Sequence, residues 1–422
     1  MTCLRQAVGA AVLAGCLASA AARAGDERIE LTIDAGAHDR NQCPVRTLVE
    51  CPAGWAQSGA VVLTGGEGQT IVAQLGAPGL LSQEKAGAKA AVRELNFVLP
   101  KLAKGQRLTL TGRAAKEAPA GFAWRDTPQQ FSELSYAGRP VLRYVYLPRE
   151  AAEKAGDTVF KVYHHLYDPE GARFVTKGEN TGLHPHHRGL FYGFTRVTYG
   201  GVTVNTWACW KDNYQSHQGF LASEAGPVLG RHEVAIDWHG QGRKVFAKER
   251  RELSAYQVAG GQLVDFASRL SSTVGKVKLD GDPAHAGFQF RAAKEVEDNL
   301  KATYYLRPDG KGQPGEFRNW TAKAPDPRCV NLPWYGVSFM IGPQRYTAVY
   351  LDRPGNPHEA RFGERDYARF GCYFEYELDE GRDLLIGYRL WLQEGEMTVA
   401  QAAALSADFA EPPAVSARTL AP

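Results

Sequence analysis

Most of the chain consists of short runs in which hydrophobic and polar residues alternate, or in which β-branched residues cluster, separated by glycine. A period of two is typical of strands that bury one face, and the glycines mark the turns between them. Between residues 28 and 114 this pattern predicts a small β-sandwich of about the immunoglobulin-like size. The strand-like runs there are RIELTIDAG, AVVLTG, TIVAQL, RELNFVLP and RLTLTGRA.

From Phe122 to residue 398 the predicted strands are longer, and no segment between them has the composition of a linker. Two of these runs flank Gly260 and Gly261, a pair that is typical of a hairpin turn. Helical patterns are convincing only at 149–155 and 399–409. A strand-rich block of this length forms a sandwich, a barrel or a propeller, and the lack of a blade-length repeat favours a large sandwich.

The first 24 residues carry the features of an export signal. Arg5 precedes the apolar run 7–17, and Ala22-Arg23-Ala24 offers a small-x-small cleavage site. The apolar run is too short to span a bilayer. The string LAGC, which ends at Cys16, alternatively resembles a lipobox, in which an acylated Cys16 would anchor the mature protein. Both interpretations predict an exported protein, periplasmic or extracellular.

The pattern therefore predicts an all-β protein in which a small N-terminal sandwich is followed by a large antiparallel one. The large sandwich is the predicted catalytic domain. The predicted segments are a signal peptide (1–24), an N-terminal β-sandwich (25–115), a linker (116–121), a large β-sandwich (122–408) and a C-terminal tail (409–422).

Composition fits a globular chain, with 44% hydrophobic and 23% charged residues. The 49 lysines and arginines nearly balance 46 acidic residues, so the chain lacks the basic excess that nucleic-acid binding requires. Without the leader, an odd number of cysteines remains. Cys43 and Cys51 could form a disulfide or remain buried thiols, and the lack of any CxxC spacing argues against a cysteine zinc site.

The distribution of histidine is the sharpest functional signal. Six of the 11 histidines lie between residues 164 and 217, three of them in the string TGLHPHHRG at 181–189. Because Pro185 cannot occupy a central strand position, the string is predicted to be a loop before the strand LFYGFTRV. Imidazoles transfer protons near neutral pH and also bind metals. The alternative is a set of histidines that are individually hydrogen-bonded within a polar loop.

A divalent metal is a second interpretation of the same cluster. The ligands would then be His184, His186, His187 or His217. The string lacks the helical HExxH spacing of metalloproteases, so no firm cofactor is predicted and proton transfer is preferred.

A second polar segment begins at His285 and continues as AGFQFR. In a strand, Gln289 and Arg291 would share one face, while Phe288 and Phe290 would point to the other. A polar face of this kind fits a sheet with one concave, hydrated side. The alternative is an ordinary exposed strand face.

A third segment, the loop 352–367, contributes Arg361 and Arg365, whose guanidinium groups suit carboxylates, sulfates or vicinal hydroxyls. The alternative is a solvated surface loop. The chain has no GxSxG nucleophile elbow, no P-loop and no GxGxxG that opens a helix. Carboxylates that could pair as acid and base are Asp212, Asp352, Glu364 and Asp366.

Several of these strings together resemble the bacterial PmoA family. The resemblance covers about residues 122–408 and rests above all on HPHHRG, on TVNTWACWKDNYQSHQGF and on LDGDPAHAGFQFR. The family name borrows from methane oxygenase, but no transmembrane helix follows the signal here. The resemblance implies a galactose-mutarotase-like supersandwich, a fold shared with many sugar lyases, hydrolases and epimerases.

We therefore predict an exported carbohydrate-active enzyme, a glycoside hydrolase, lyase or epimerase, that uses histidine acid–base catalysis on a concave sheet. The alternatives are a non-catalytic saccharide-binding protein and a metal-dependent enzyme. The prediction requires the 184–187 string and His285 to meet in space. The predicted catalytic residues are His186, His187, His217 and His285, and the predicted substrate-binding residues are Arg188, Trp207, Trp210, Gln289, Arg291, Arg361 and Arg365.

Overall fold

The structure is a computed structural model of the chain. The predicted signal peptide, including Cys16, and part of the predicted linker lie outside the residues that it describes. Within those residues, no helix is long and apolar enough to cross a membrane. The described residues are 27–55, 58–87, 91–115, 117, 119–178 and 180–420.

Strands before residue 115 alternate between buried and more exposed positions, as the period of two predicts. Leu31 and Ile33, for example, are fully buried while Thr32 between them is not. The strands and one helical turn of this part are β1 (Arg28–Asp34), β2 (Arg40–Glu50), β3 (Ala60–Thr64), β4 (Thr70–Gly76), α1 (Gln83–Ala86), β5 (Val92–Leu102) and β6 (Arg107–Ala114).

Among the described residues, the rest of the chain adds 22 strands and two α-helices. The elements up to residue 272 are β7 (Phe122–Thr127), β8 (Phe131–Tyr136), β9 (Arg139–Val145), α2 (Arg149–Lys154), β10 (Tyr163–Leu166), β11 (Leu190–Phe194), β12 (Arg196–Tyr199), β13 (Val202–Val204), β14 (Tyr214–Ala225), β15 (Leu229–His239), β16 (Val245–Tyr256) and β17 (Gln262–Ser272). The remaining elements are β18 (Val277–Asp280), β19 (Ala286–Arg291), β20 (Tyr304–Arg307), β21 (Gly310–Lys311), β22 (Trp334–Ile341), β23 (Gln344–Asp352), β24 (Arg361–Arg365), β25 (Arg369–Tyr373), β26 (Tyr376–Leu378), β27 (Asp383–Glu394), α3 (Val399–Ala410) and β28 (Ala414–Leu420).

The N-terminal strands form one curled sheet rather than two stacked ones, in the order β2-β5-β4-β3-β6-β1-β28. The last strand of the chain pairs along the whole length of β1, from Arg28 opposite Leu420 onward. Thr419 Oγ1 also donates to the carbonyl of Glu50 on β2 at 3.2 Å, so the two ends of the sheet approach each other. A curled sheet encloses its own hydrophobic core on its inner side. Each strand therefore needs only one buried face, which agrees with the alternating pattern. The predicted tail, 409–422, contains β28.

The large domain is built mainly from two antiparallel sheets that pack face to face, which confirms the all-β prediction. Their strand orders are β24-β25-β19-β11-β10-β9-β8-β7 and β14-β15-β16-β17-β27-β23-β22-β20-β21, and a small sheet β13-β12-β18-β26 lies beside them. Aromatic rings fill the space between the sheets. Phe288 of β19, for example, stacks on Phe266 of β17 with ring centroids 4.1 Å apart.

Buried ion pairs join the N-terminal sheet to the outer face of the nine-stranded sheet. Arg231 on β15 binds Glu94 on β5 at 2.8 Å, and both side chains are almost fully buried. Arg46 on β2 reaches Asp265 on β17 at 2.5 Å. The five described cysteines are free thiols, so of the two alternatives for Cys43 and Cys51 the structure has the thiols and not the disulfide.

Candidate functional site

His184, His186 and His187 lie on a single β-turn at the entrance to β11. The backbone N–H of His187 donates to the carbonyl of His184 at 3.0 Å, and Pro185 stands at the second position, where its fixed φ favours such a turn. The rings of His184 and His187 stack at 5.0 Å, and His186 lies 4.4 Å from His187. One ligand atom from each ring lies within 4.8 Å of the others. The string therefore folds into a compact triplet of imidazoles.

Gly189 fixes this turn to the sheet. Its φ is +42°, and a Cβ atom there would lie 2.1 Å from the carbonyl oxygen of His164, so only glycine fits. The Gly189 N–H donates to the backbone carbonyl of Lys177 at 2.7 Å, and the Gly189 carbonyl accepts from the N–H of Arg291 at 2.9 Å. The turn is thus held between two neighbouring segments, which gives the triplet a rigid base.

Burial keeps two imidazoles of the triplet, those of His186 and His187, neutral. His187 is 1% exposed, and neither of its ring nitrogens has a hydrogen-bond partner among the described residues. Burial and then the charge of Arg369 hold the pKa of His187 well below its ordinary value. Burial, followed by the charge of Lys161, lowers the pKa of His186 to about 3. At neutral pH these rings therefore offer lone pairs.

His285 lies beside the triplet and is oriented by a carboxylate. Its Nδ1 lies 3.0 Å from Asp282 Oδ1, in a turn where the N–H of His285 also donates to the carbonyl of Asp282 at 2.9 Å. Because an ionised carboxylate only accepts hydrogen bonds, Nδ1 carries the proton and Nε2 the lone pair. The Trp207 ring lies 5.6 Å from His187 and 6.2 Å from His285. Both predicted histidine segments therefore border the Trp207 ring, without a ring contact between His285 and the triplet in the described structure. His184, His186, His187 and His285 are called the histidine site below.

The two predicted tryptophans differ in what they can contact. Trp207 is 1% exposed, and its backbone N–H donates to Asn205 Oδ1, so it is part of the wall. Trp210 is 45% exposed and lies 5.2 Å from His186, edge to face. It also borders a pocket of about 630 Å³ whose wall includes Phe160. Trp210 is thus the ring that a bound ligand can reach.

Arg188 and Arg291 are engaged by carboxylates within the protein. Arg188 Nη2 binds both oxygens of Asp157 at 2.8 and 2.9 Å. Arg291 Nη2 binds Glu297 at 2.6 Å and is fully buried. These two predicted substrate-binding arginines therefore hold the loop and the strand in place rather than facing a ligand.

The strand β19 divides its side chains as predicted. Phe288 and Phe290 lie in the core between the sheets, and Gln289 lies on the opposite face. Gln289 is itself buried and accepts a hydrogen bond from Arg369 Nη1 at 2.9 Å. Its role here is to position Arg369.

Arg361 and Arg365 stand at opposite ends of β24. Arg361 pairs with Glu359 and Glu375, both at 2.8 Å, and stacks on Trp320. Arg365 lies directly across from Arg369 of β25. The positive charge of Arg369 is close enough to His187 to lower the pKa of that imidazole. The two arginines are four residue steps apart along the strand, which corresponds to about 13 Å. Only Arg365 therefore belongs near the histidine site.

His217 lies on the other face of the eight-stranded sheet. Its Nδ1 is 3.2 Å from the hydroxyl of Tyr144, which belongs to the core between the sheets together with Leu190. The next residue along the strand, Phe191, points the other way and stacks on His187. The structure therefore does not bring His217 to the histidine site, because the sheet stands between them.

His217 instead belongs to a second, buried group of imidazoles. His164 Nε2 and His232 Nε2 lie 3.2 Å apart, and the hydroxyl of Tyr144 links this region to His217. Burial lowers the pKa of His232 to about 3 and that of His217 to about 4, and it holds the pKa of His164 well below its ordinary value. This group is neutral at physiological pH.

Because these histidines are neutral in the folded protein, we expect the free energy of unfolding to depend on pH. In the unfolded chain these histidines take up a proton near pH 6.5, whereas in the folded chain they do so only well below that value. The stability that these neutral histidines contribute should therefore be fully present above pH 6.5. Below that pH the free energy of unfolding should decrease by about 1.4 kcal/mol per pH unit for each fully buried histidine. Urea unfolding at a series of pH values measures this slope. His232→Asn should flatten it and His358→Asn, at an exposed position, should not; a flat profile in the wild type would contradict it.

Four residues of the site escaped the sequence analysis. Asp282 stands three residues before His285, in a turn whose Asp-Pro start was a usable signal. Arg369 alternates with core residues in the strand RFGCY, so its outward position was also readable. Tyr367, 5.3 Å from His184, and Lys161, which donates to the His186 carbonyl at 3.0 Å, follow only from the fold.

A family model described as "Family of unknown function (DUF6807)" matches residues 132–407. The matched stretch contains the histidine site and lies within the region of the PmoA-like resemblance, but its description names no activity. No curated protein matches the chain.

Two solved structures are distantly similar. A protein in the glycosyl hydrolase family 38 from Enterococcus faecalis has 6% identity and a TM-score of 0.44, with 94% of this chain and 47% of that one covered. The chain thus spans about half the length of that protein. OccK9 (OpdG) from Pseudomonas aeruginosa has 10% identity and a TM-score of 0.13, with 87% of this chain and 97% of that one covered. Both likenesses are too remote to bear on the activity.

Proposed function

We propose that this chain, which belongs to the DUF6807 family of unknown function, is an exported carbohydrate-active enzyme that uses histidine acid–base catalysis. The observation that carries the proposal is the Asp282–His285 pair beside the imidazole triplet. A carboxylate-oriented imidazole is a recurrent arrangement for proton transfer. An exposed tryptophan at the edge of the same site suits stacking against a sugar ring.

In this proposal His285 is the general base. Asp282 holds its Nδ1–H, so that Nε2 takes the proton and the carboxylate stabilises the imidazolium that forms. The half-buried His186, with the buried His187 4.4 Å from it, relays the second proton. Hydrolysis, β-elimination and epimerisation share this removal and delivery of a proton. Trp210 provides the platform for the sugar.

The proposal is tested by incubating the purified protein with a saccharide panel. Product is followed as new reducing ends, as the ultraviolet absorbance of an unsaturated sugar, and as a changed anomeric or ring-proton spectrum by NMR. Turnover of any member supports the proposal. Calorimetric binding without product over a long incubation would instead favour the non-catalytic saccharide-binding alternative.

A metal-dependent enzyme is the second candidate, and one observation favours it. Both nitrogens of the buried His187 are unpaired within the described part of the chain, at the centre of three imidazoles whose ligand atoms lie within 4.8 Å. Three histidines with an open fourth position are a common catalytic zinc site. The buried charges of Arg369 and Lys161 nearby would oppose a bound cation unless an anionic ligand accompanied it. A metal there would act as a Lewis acid on a substrate oxygen.

On this second proposal, the protein purified without added metal is expected to contain about one equivalent of zinc or a similar transition metal. His187→Ala should remove it, because the central ligand is lost, whereas His285→Ala should retain it. Elemental analysis measures both. An active preparation free of metal would exclude this candidate and leave the first one standing.

A further inference from the structure

Two arginines at the histidine site face each other across neighbouring strands. Arg365 of β24 and Arg369 of β25 are direct partners in the antiparallel register. Arg369 is fully buried; its Nη1 donates to Gln289 at 2.9 Å and to the carbonyl of Pro283 at 3.2 Å, while its Nε has no partner in the described structure. Arg365 is half-buried. Like charges directly opposite each other destabilise a sheet.

Neither arginine forms an ion pair with a carboxylate among the described residues, in contrast to their neighbours. Arg188, Arg291 and Arg361 each bind a glutamate or an aspartate. Asp282 is close enough to influence the charge of both arginines, but it is already bound to His285. The opposed pair thus donates to neutral acceptors, Asn319 for Arg365 and Gln289 for Arg369, but lacks the carboxylate that the other arginines of this region have in the described structure.

Burying a guanidinium charge without a carboxylate partner is unfavourable in free energy. Burial, and then the charge of Arg369, lowers the pKa of Arg365, which means that the protein environment disfavours its charge. Uncompensated buried charge is normally avoided, and where it persists the partner is often a ligand. The planar guanidinium matches carboxylate and sulfate oxygens with two parallel hydrogen bonds.

The pair also lies where a substrate would be bound. Arg369 Nη1 donates to the carbonyl of Pro283, two residues before His285, at 3.2 Å, and the ring of Tyr367, between the two arginines in sequence, lies 5.3 Å from that of His184. On another side of the triplet, Lys161 is buried against the Phe191 ring at 4.4 Å and likewise has no carboxylate partner in the described structure. An anion bound at Arg365 would therefore be adjacent to the histidine site.

We propose that the substrate is an acidic saccharide, and that its carboxylate or sulfate group docks on the half-buried Arg365, while the buried Arg369 beside it adds positive charge. The inference rests on the proposed function and deepens it by naming the substrate class. The neutral part of the sugar contacts Trp210 and the imidazoles, while the charged group supplies the counter-charge that the arginine pair lacks.

Calorimetric binding of matched glycosides tests the inference. Methyl glucuronide and methyl galacturonide are compared with methyl glucoside and methyl galactoside, and glucose 6-sulfate and inorganic sulfate form two further arms. We expect the charged sugars to bind the wild type about 10- to 100-fold more tightly than the neutral ones. The uronide and sulfate-ester arms then show which acidic group is preferred.

Three variants separate this inference from a general electrostatic effect. Arg365→Gln should remove the preference for charged sugars and leave neutral binding unchanged, with Arg365→Lys intermediate because it keeps the charge. Arg361→Gln, on the same strand but paired with Glu359, should behave as the wild type. Circular dichroism and melting curves establish that each variant is folded.

Four outcomes overturn the inference. Equal affinity for charged and neutral glycosides, or equal losses in Arg365→Gln and Arg361→Gln, would remove the substrate class while the proposed function stands. Binding of inorganic sulfate without any charged glycoside would leave an anion site unrelated to saccharides. Binding of no glycoside at all, together with no turnover on the panel, would contradict the proposed function as well.

Discussion

Replacing His285 by alanine is expected to lower kcat/KM about 100- to 10,000-fold on the saccharide that the wild type turns over. The loss follows from removing the imidazole that Asp282 orients, so it should fall mainly on kcat, with KM little changed. Steady-state kinetics over a range of substrate concentrations measures both. The side chain is 44% exposed, so the substitution should leave the fold intact.

Asp282→Asn and a distant histidine provide the controls. Without the carboxylate, the tautomer of His285 is no longer fixed and its imidazolium is no longer stabilised, so the pH–rate profile should shift as well as the rate. His38→Ala, in the loop between β1 and β2, should have no effect on the rate. Unchanged activity in His285→Ala, or an equal loss in His38→Ala, would reject the assignment of His285.

Glu249→Leu is expected to lower the free energy of unfolding by about 3–5 kcal/mol, because it leaves a buried arginine without its partner. Glu249 and Arg251 are at most 1% exposed and lie on one face of β16 between the two large sheets. Two hydrogen bonds of 2.8 Å join them, and the Trp238 indole N–H donates to the same carboxylate at 2.8 Å. Denaturant unfolding measures the loss.

The double variant Glu249→Leu, Arg251→Met makes this prediction specific to the charge. Apolar side chains of similar volume often replace a buried ion pair without a net loss, so most of the stability should return. If the double variant were as unstable as Glu249→Leu alone, packing rather than the unpaired charge would be the cause. Neither residue touches the histidine site, so residual activity reports the folded fraction.

The sequence predicted the strands well, because the alternation of buried and exposed positions is a local property of the pleat. The helix at 399–409 was also readable, since Thr398 and Gln401 form a capping box that begins α3. The curled N-terminal sheet was not, because its closure depends on β28, almost 390 residues after β1. Pairings between strands so distant in the chain leave no trace in a local pattern.

The candidate site was predictable only in part, for the same reason. The turn that gathers His184, His186 and His187 follows from local residues, namely Pro185 and Gly189. Whether an arginine forms an ion pair depends on which carboxylate the fold brings to it. Arg361 and Arg365 are equivalent in the sequence, yet one has two glutamates and the other has none within the described structure.

The pairing of β1 with β28 also sets an order of events while the chain is being made. The first strand finds β6 early in synthesis, but its other neighbour exists only once translation has reached residue 420. Until then one edge of β1 presents open N–H and C=O groups, a template for pairing with another molecule. A premature stop codon, even one that spares the whole histidine site, would therefore yield a product that tends to aggregate.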